Sequence, residues 1–186
     1  MNRRELLKFI AAATGCAFIG TGRVLAATIS GSDMKFSAGD IAFFDEVAET
    51  ILPKTKTPGA KEAKVGEFIA VYSSACYEPA QLQVLTEGIA LLNAHMQKKF
   101  GTDFLRAGVK HQQTALIEID RQAKEVAASS KDNPNLPPHY FTLIKQLTLL
   151  GFFTSEPGST RVARYRPVPG KYKGCINYRK GDTFWA

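Results

Sequence analysis

The sequence predicts an all-α domain of about five helices, packed as one irregular bundle and continued by a long extended C-terminal arm. Three observations carry this expectation. Apolar residues recur at spacings of three and four along five separate stretches, the period of a buried helix face. Residues that start and stop helices stand at the edges of those stretches. Beyond Gly151 the period disappears, and proline and glycine punctuate the chain instead.

The first stretch opens at Ser37-Ala38-Gly39-Asp40, where a serine followed three residues later by a carboxylate can close a capping box. Ile41, Phe44, Ala48 and Ile51 then share a face, and Pro53 ends the helix. Lys54 to Lys64 reads as a loop around Pro58-Gly59-Ala60, a turn or a contact for a partner. A short helix from Val65 to Tyr77 buries Val65, Phe68, Ile69 and Tyr72. Pro79 suits the first turn of the next helix, whose stripe is Leu82, Leu85, Ile89, Leu92 and Met96, and Gly101 stops it. A turn around Phe104 and Leu105 leads to a helix from about Val109 to Ala128, with Leu116, Ile119, Ala123 and Val126 facing inward.

Ser129 to Pro138 is a polar loop with breaks at Asn133-Pro134 and Pro137-Pro138. The last helix, about His139 to Leu150, is apolar on more than one side through Tyr140, Phe141, Leu143, Ile144, Leu147, Leu149 and Leu150. Such a helix is either central or covered by something else. After Gly151-Phe152-Phe153 come Pro157-Gly158, Pro167, Pro169-Gly170 and Gly174, with no helical period. An irregular stretch of roughly thirty residues is unusual in a compact domain unless it is functional or bound to a partner. The expected division is a signal at residues 1–26, a spacer at 27–36, a helical domain at 37–152 and the arm at 153–186.

The signal is read from Asn2-Arg3-Arg4-Glu5-Leu6-Leu7-Lys8, an apolar run from Phe9 to Ile19, and the small-residue exit Val24-Leu25-Ala26-Ala27. Arg3, Arg4, Leu6, Leu7 and Lys8 form a twin-arginine export start, and cleavage is expected between Ala26 and Ala27. A membrane span needs about 20 apolar residues, and Lys8, Gly20, Gly22 and Arg23 interrupt the run before that. A retained anchor and lipidation at Cys16 are the competing readings. The twin-arginine route carries folded proteins, which suits a chain or a partner that takes up a cofactor before export.

Residues 1–26 hold four basic residues and one acidic one, so three of the seven net positive charges leave with the signal and +4 remains. A general polyanion binder usually carries more. The basic charge gathers at the end of the chain. From Arg161 onward there are seven cations, Arg161, Arg164, Arg166, Lys171, Lys173, Arg179 and Lys180, and one acid, Asp182. Tyr165, Tyr172, Tyr178 and Trp185 lie among them. Cations and aromatics in this mixture can stack on bases, but an exported protein rarely meets nucleic acid. A protein-docking tail is the stronger reading, against a merely solvated one.

Cys76 and Cys175 remain after the signal is removed. In an oxidising compartment such a pair is usually bonded. A Cys76–Cys175 bond would pin the arm to the helices and contribute about 4–5 kcal/mol in the chain-entropy account. Two separate buried thiols are the alternative.

Reactive constellations are not legible. His95, His111 and His139 have no second ligand at metal spacing, and His95 reads as a packing or surface residue. No Cys-x-x-Cys-His for haem, no Gly-rich turn for a dinucleotide and no Gly-x-Ser-x-Gly elbow stands after the signal. Glu46, Glu49, Glu118 and Asp120 read as solvated helix-face carboxylates. The expectation is therefore no catalytic, cofactor-binding or metal-binding residue in this chain.

Several segments, taken in order, resemble one family. They are the twin-arginine start, Ala48-Glu49-Thr50-Ile51-Leu52-Pro53, Thr57-Pro58-Gly59-Ala60 before Val65, and Phe141 to Thr148 with Gly151-Phe152-Phe153-Thr154-Ser155-Glu156. The closing run from Tyr165-Arg166-Pro167-Val168-Pro169-Gly170 to Cys175, with Trp185, completes the set. The chain resembles the gluconate 2-dehydrogenase subunit 3 family, small subunits of membrane-associated flavin dehydrogenases. The resemblance implies a non-catalytic subunit and a partner of the glucose–methanol–choline type that holds FAD. It also implies a cytochrome c subunit as electron acceptor and export of the flavoprotein through the twin-arginine translocase into the periplasm. A free-standing periplasmic binding or stress protein is the competing reading. The partner-docking residues expected are Phe152, Phe153, Tyr165, Arg166, Tyr172 and Trp185, on the last helix and the arm.

Overall fold

The structure, a computed structural model, describes residues 34–129, 137–168, 170–171, 175–177 and 179–185. Among these residues five α-helices form: α1 (Ala38–Ile51), α2 (Val65–Cys76), α3 (Pro79–Phe100), α4 (Val109–Ser129) and α5 (Tyr140–Thr154). A 3₁₀ turn, Phe104–Arg106, joins α3 to α4, and a π-turn, Gly158–Val162, follows α5. Among the described residues the only β-type pairing is an isolated bridge between Arg164 and Trp185. The all-α expectation holds. The export start, the cleavage site at Ala26 and Ala27, and Tyr172 lie outside the described residues.

The helix ends follow their local chemistry. Ser37 caps α1 by accepting from the Asp40 N–H, while Asp40 accepts from the Ser37 N–H at 2.8 Å. Pro79 occupies the first turn of α3, and Gly101 closes that helix in the left-handed region at φ 67°. The start of α5 was less legible. His139 caps it, its Nδ1 accepting from the Phe141 N–H at 3.2 Å. An acceptor at Nδ1 is an imidazole without a proton there. Burial accordingly holds His139 below its ordinary value.

α5 is the central helix. It packs against α1, α2, α3, α4 and the π-turn. This accounts for its nearly all-round apolar surface: Tyr140, Phe141, Leu143, Ile144, Leu147 and Phe152 are buried. Leu149 and Leu150 are exposed, so they leave the expected core. Val126 is likewise exposed at the end of α4, although Leu116, Ile119 and Ala123 are buried as expected. The inner face of α1 turns slightly from the expected one. Phe43, Phe44, Val47 and Ala48 are buried, while Ile41 and Ile51 are half-buried at its margin.

α1 and α2 approach closely because Gly66 has no side chain. A Cβ there would come within 2.5 Å of the Ile41 carbonyl and 2.7 Å of the Asp45 amide nitrogen. The Gly66 N–H donates to Asp45 Oδ1 at 2.8 Å across this contact. Burial raises the Asp45 carboxyl above its ordinary value despite that bond.

The carboxylates read as solvated are instead tethers between elements. Glu49 gathers the loop after α1, accepting from the Lys54 N–H at 2.9 Å and the Lys61 N–H at 2.8 Å. Gly59 lies against that carboxylate, and Pro58, Gly59 and Ala60 are buried rather than presented to solvent. Glu46 pairs with Lys61 and accepts from Gln112 Nε2 at 3.2 Å. Asp120 on α4 accepts from Lys145 on α5 at 2.7 Å, and from Lys124 at 2.7 Å. Those two lysines hold its carboxyl below the usual range. Glu118 pairs with Lys99 on α3, and His95 Nε2 lies 3.4 Å from its other oxygen. His95, read from the sequence as a packing or surface residue, is half-buried between α3 and α4. Apart from the Asp120–Lys124 pair within α4, a helix-face spacing could not show these tethers, because the partners come from other elements.

Candidate docking surface

The arm leaves the helices through a fixed root. Ser155 follows α5 in an extended conformation, its hydroxyl donating to the Phe152 carbonyl at 2.6 Å and accepting from the Gly158 N–H at 3.1 Å. Gly158 then presses against the Phe152 carbonyl, where a Cβ has no room. Arg161, in the π-turn, reaches back to Glu62 in the loop before α2, with Nη1 at 2.7 Å. Lys54 approaches the other oxygen of Glu62 at 3.2 Å. Lys54, and then Arg161, hold that carboxyl below its ordinary value. Exposed ion pairs contribute little to stability singly; this one joins the root of the arm to the loop before α2.

The end of the chain returns to the same place. A turn at Arg179–Asp182 has Gly181 at φ 97°, and Asp182 Oδ2 accepts from the Arg179 N–H at 2.9 Å. The Phe184 carbonyl then accepts from the Arg164 N–H at 2.8 Å. The Arg164 guanidinium lies over the Trp185 ring, 5.5 Å from its centroid. The Phe184 ring meets Phe153 edge-on at 5.4 Å, and Phe153 meets Phe152 edge-on at 5.2 Å. An aromatic path therefore runs from the core at Phe152 through Phe153 to the exposed ring of Phe184.

The structure divides the expected docking residues. Phe152 is 3% exposed and belongs to the core, where it packs as any buried phenylalanine would. Phe153 is half-buried and serves as the seat for Phe184. Tyr165 and Trp185 are 56% and 53% exposed, and Arg166 is exposed beside them. The structure adds Phe184, which the sequence does not single out, and Arg164, which stands in the sequence only as one cation of the basic run. Their only signal was position, one in the basic run and one beside the terminal tryptophan; the return of the chain that joins them has no periodicity. Cys76 and Cys175 are exposed free thiols here, so the expected bond is not formed in this structure.

Other chemistry is sparse among the described residues. No group of three or more His, Cys, Asp and Glu side chains is arranged to hold a metal ion. No helix is long and apolar enough to cross a membrane. The π-turn and the folded-back arm bring cations and aromatics to one exposed edge of a tightly cored helical body. The family model of gluconate 2-dehydrogenase subunit 3 matches residues 38–170, and the chain belongs to that family. The match covers all five helices and the root of the arm, and ends before Phe184 and Trp185. No curated protein and no solved structure matches the chain.

Proposed function

We propose that this chain is the non-catalytic small subunit of a periplasmic, membrane-associated dehydrogenase that oxidises a sugar, sugar acid or polyol. Its partner carries the FAD and belongs to the glucose–methanol–choline type. A cytochrome c subunit takes the electrons. The observation that carries this reading is the family match over residues 38–170, whose name is that of a dehydrogenase subunit. An exposed cationic aromatic edge on a closely packed helical body is consistent with a chain that works by contact. In this reading Arg3 and Arg4 serve both subunits: the small one binds its partner in the cytoplasm and takes it through the twin-arginine translocase.

The test is to replace Arg3 and Arg4 with lysine in the native host and follow both chains by fractionation. Both proteins remaining in the cytoplasm is the expected result. A flavoprotein that still reaches the periplasm refutes the escort role. A tagged chain that purifies without any flavin absorbance refutes the partnership and leaves a free-standing periplasmic protein.

A further inference from the structure

We propose that the folded-back end of the arm, centred on Arg164, Tyr165, Phe184 and Trp185, is a preformed anchor for an acidic face of the flavin-bearing subunit. The inference rests on the proposed function for the identity of the partner, and goes beyond it in naming the anchor and the chemistry that receives it.

Three observations carry it. The first is exposure without looseness. Trp185 is half exposed, yet the Arg164 bridge and guanidinium hold it and Phe153 seats its neighbour. An aromatic group already fixed in place costs little entropy when a partner covers it, and tryptophan, tyrosine and arginine dominate interface energetics. The second is charge. Arg164, Arg166, Arg179 and Lys180 are all exposed around the anchor. The one acid of this region, Asp182, turns its carboxylate to the Arg179 N–H within its own turn. A surface of this sign selects an acidic counterpart and steers its approach. The third is the anchoring of the root. Arg161 is engaged by Glu62, which joins the root of the arm to the loop before α2. An anionic bilayer would also attract such a charge, but fluid headgroups require no fixed tryptophan, whereas a shaped protein face does.

The experiment uses the complex of this chain with its flavoprotein, purified from the native host and recognised by the flavin spectrum. Affinity is measured by re-associating the separated subunits at low and high salt. Trp185→Ala is expected to weaken association by about thirtyfold, the loss typical of an interface hot spot. Arg166→Glu is expected to weaken it at low salt and to flatten its salt dependence. Circular dichroism and the melting temperature of each variant alone should match the unaltered chain, which separates lost contact from lost fold. If both variants bind like the unaltered chain, the anchor is refuted. If Trp185→Ala weakens binding but salt has no effect, the acidic face is refuted. If the unaltered chain sediments with phosphatidylglycerol vesicles and the variants lose only that property, the surface is a lipid contact and the inference falls. A chain that never co-purifies with a flavoprotein instead refutes the proposed function.

Discussion

Phe44 and Trp185 are large aromatic side chains in one folded unit, and they are held by opposite means. Phe44 has no solvent exposure and meets Phe36 edge-on at 5.3 Å and Phe43 at 6.1 Å. Phe43 continues the cluster to Phe104 at 5.6 Å. Trp185 is half exposed and is held by one guanidinium and one bridge. Around Phe44 the chain is stabilised by excluded water and close packing. Around Trp185 a few directional contacts fix geometry and leave apolar surface in water. A region that retains such surface has the means to bind, and a region that has removed it has the means to stay folded.

The sharpest break in this comparison comes from the body. Phe44→Ala removes a wholly buried ring and is expected to destabilise the protein by about 3–5 kcal/mol. Urea denaturation followed by far-ultraviolet circular dichroism measures it. A loss below 1 kcal/mol would mean that the cluster of Phe36, Phe43, Phe44 and Phe104 is not the packed centre described here.

Gly59→Ala comes next. Its Cβ would meet the Glu49 carboxylate and lie 2.7 Å from the Lys54 amide nitrogen. The loop would have to shift and loosen the two N–H bonds to Glu49, at a cost of about 1–3 kcal/mol for overpacking. The same denaturation experiment reads it, with Ala60→Gly as a control for loop flexibility that leaves Glu49 untouched.

The third effect depends on pH. Burial holds the His139 imidazole below its ordinary value of 6.5, and Nδ1 caps α5 only while unprotonated. The native chain therefore binds fewer protons here than the unfolded one. The contribution is complete above the ordinary histidine value and is lost as pH falls from there towards the lowered native value. Loss of an N-cap costs about 1 kcal/mol. His139→Asn caps without titrating. The stability of the natural chain relative to this variant should thus fall by about 1 kcal/mol between pH 7.5 and 5.5. A difference that does not change with pH would dismiss the imidazole as the cap.

These regions also differ in how far the sequence exposes them. The helices were legible because one apolar face repeats every three or four residues, and because Ser37, Pro79 and Gly101 act within their own turns. The central position of α5 was legible for the same reason: more than one of its sides is apolar. His139 as a cap was not, because its role depends on a ring nitrogen rather than on residue type. The tethers at Glu46, Glu49, Glu118 and Asp120 were not, since a carboxylate on a helix face looks alike whether its partner is water or another element. At the candidate docking surface, composition alone singled out Tyr165, Arg166 and Trp185, and the structure leaves all three exposed. Phe152 was misplaced because composition does not distinguish a phenylalanine that faces inward from one that faces outward. Arg164 and Phe184 meet through a chain reversal of about twenty residues, which no local period records.

The smallest effect on stability is expected at the arm itself, and one feature of composition makes it measurable. Trp185 is the protein's single tryptophan, so its fluorescence reports the end of the arm while circular dichroism reports the helices. Trp185→Ala should change the helical transition by no more than about 0.5 kcal/mol, as for a surface substitution away from the core. In the unaltered chain, the few contacts that hold the arm should open before the packed body does. Tryptophan emission should then shift at lower urea than the helical signal. Arg164→Ala, which removes the guanidinium from the ring, should move that first shift lower still and leave the second where it was. Two coincident transitions, moved together by Arg164→Ala, would show instead that the arm and the bundle are one cooperative unit, and that the exposed aromatic edge is part of what keeps the helices folded.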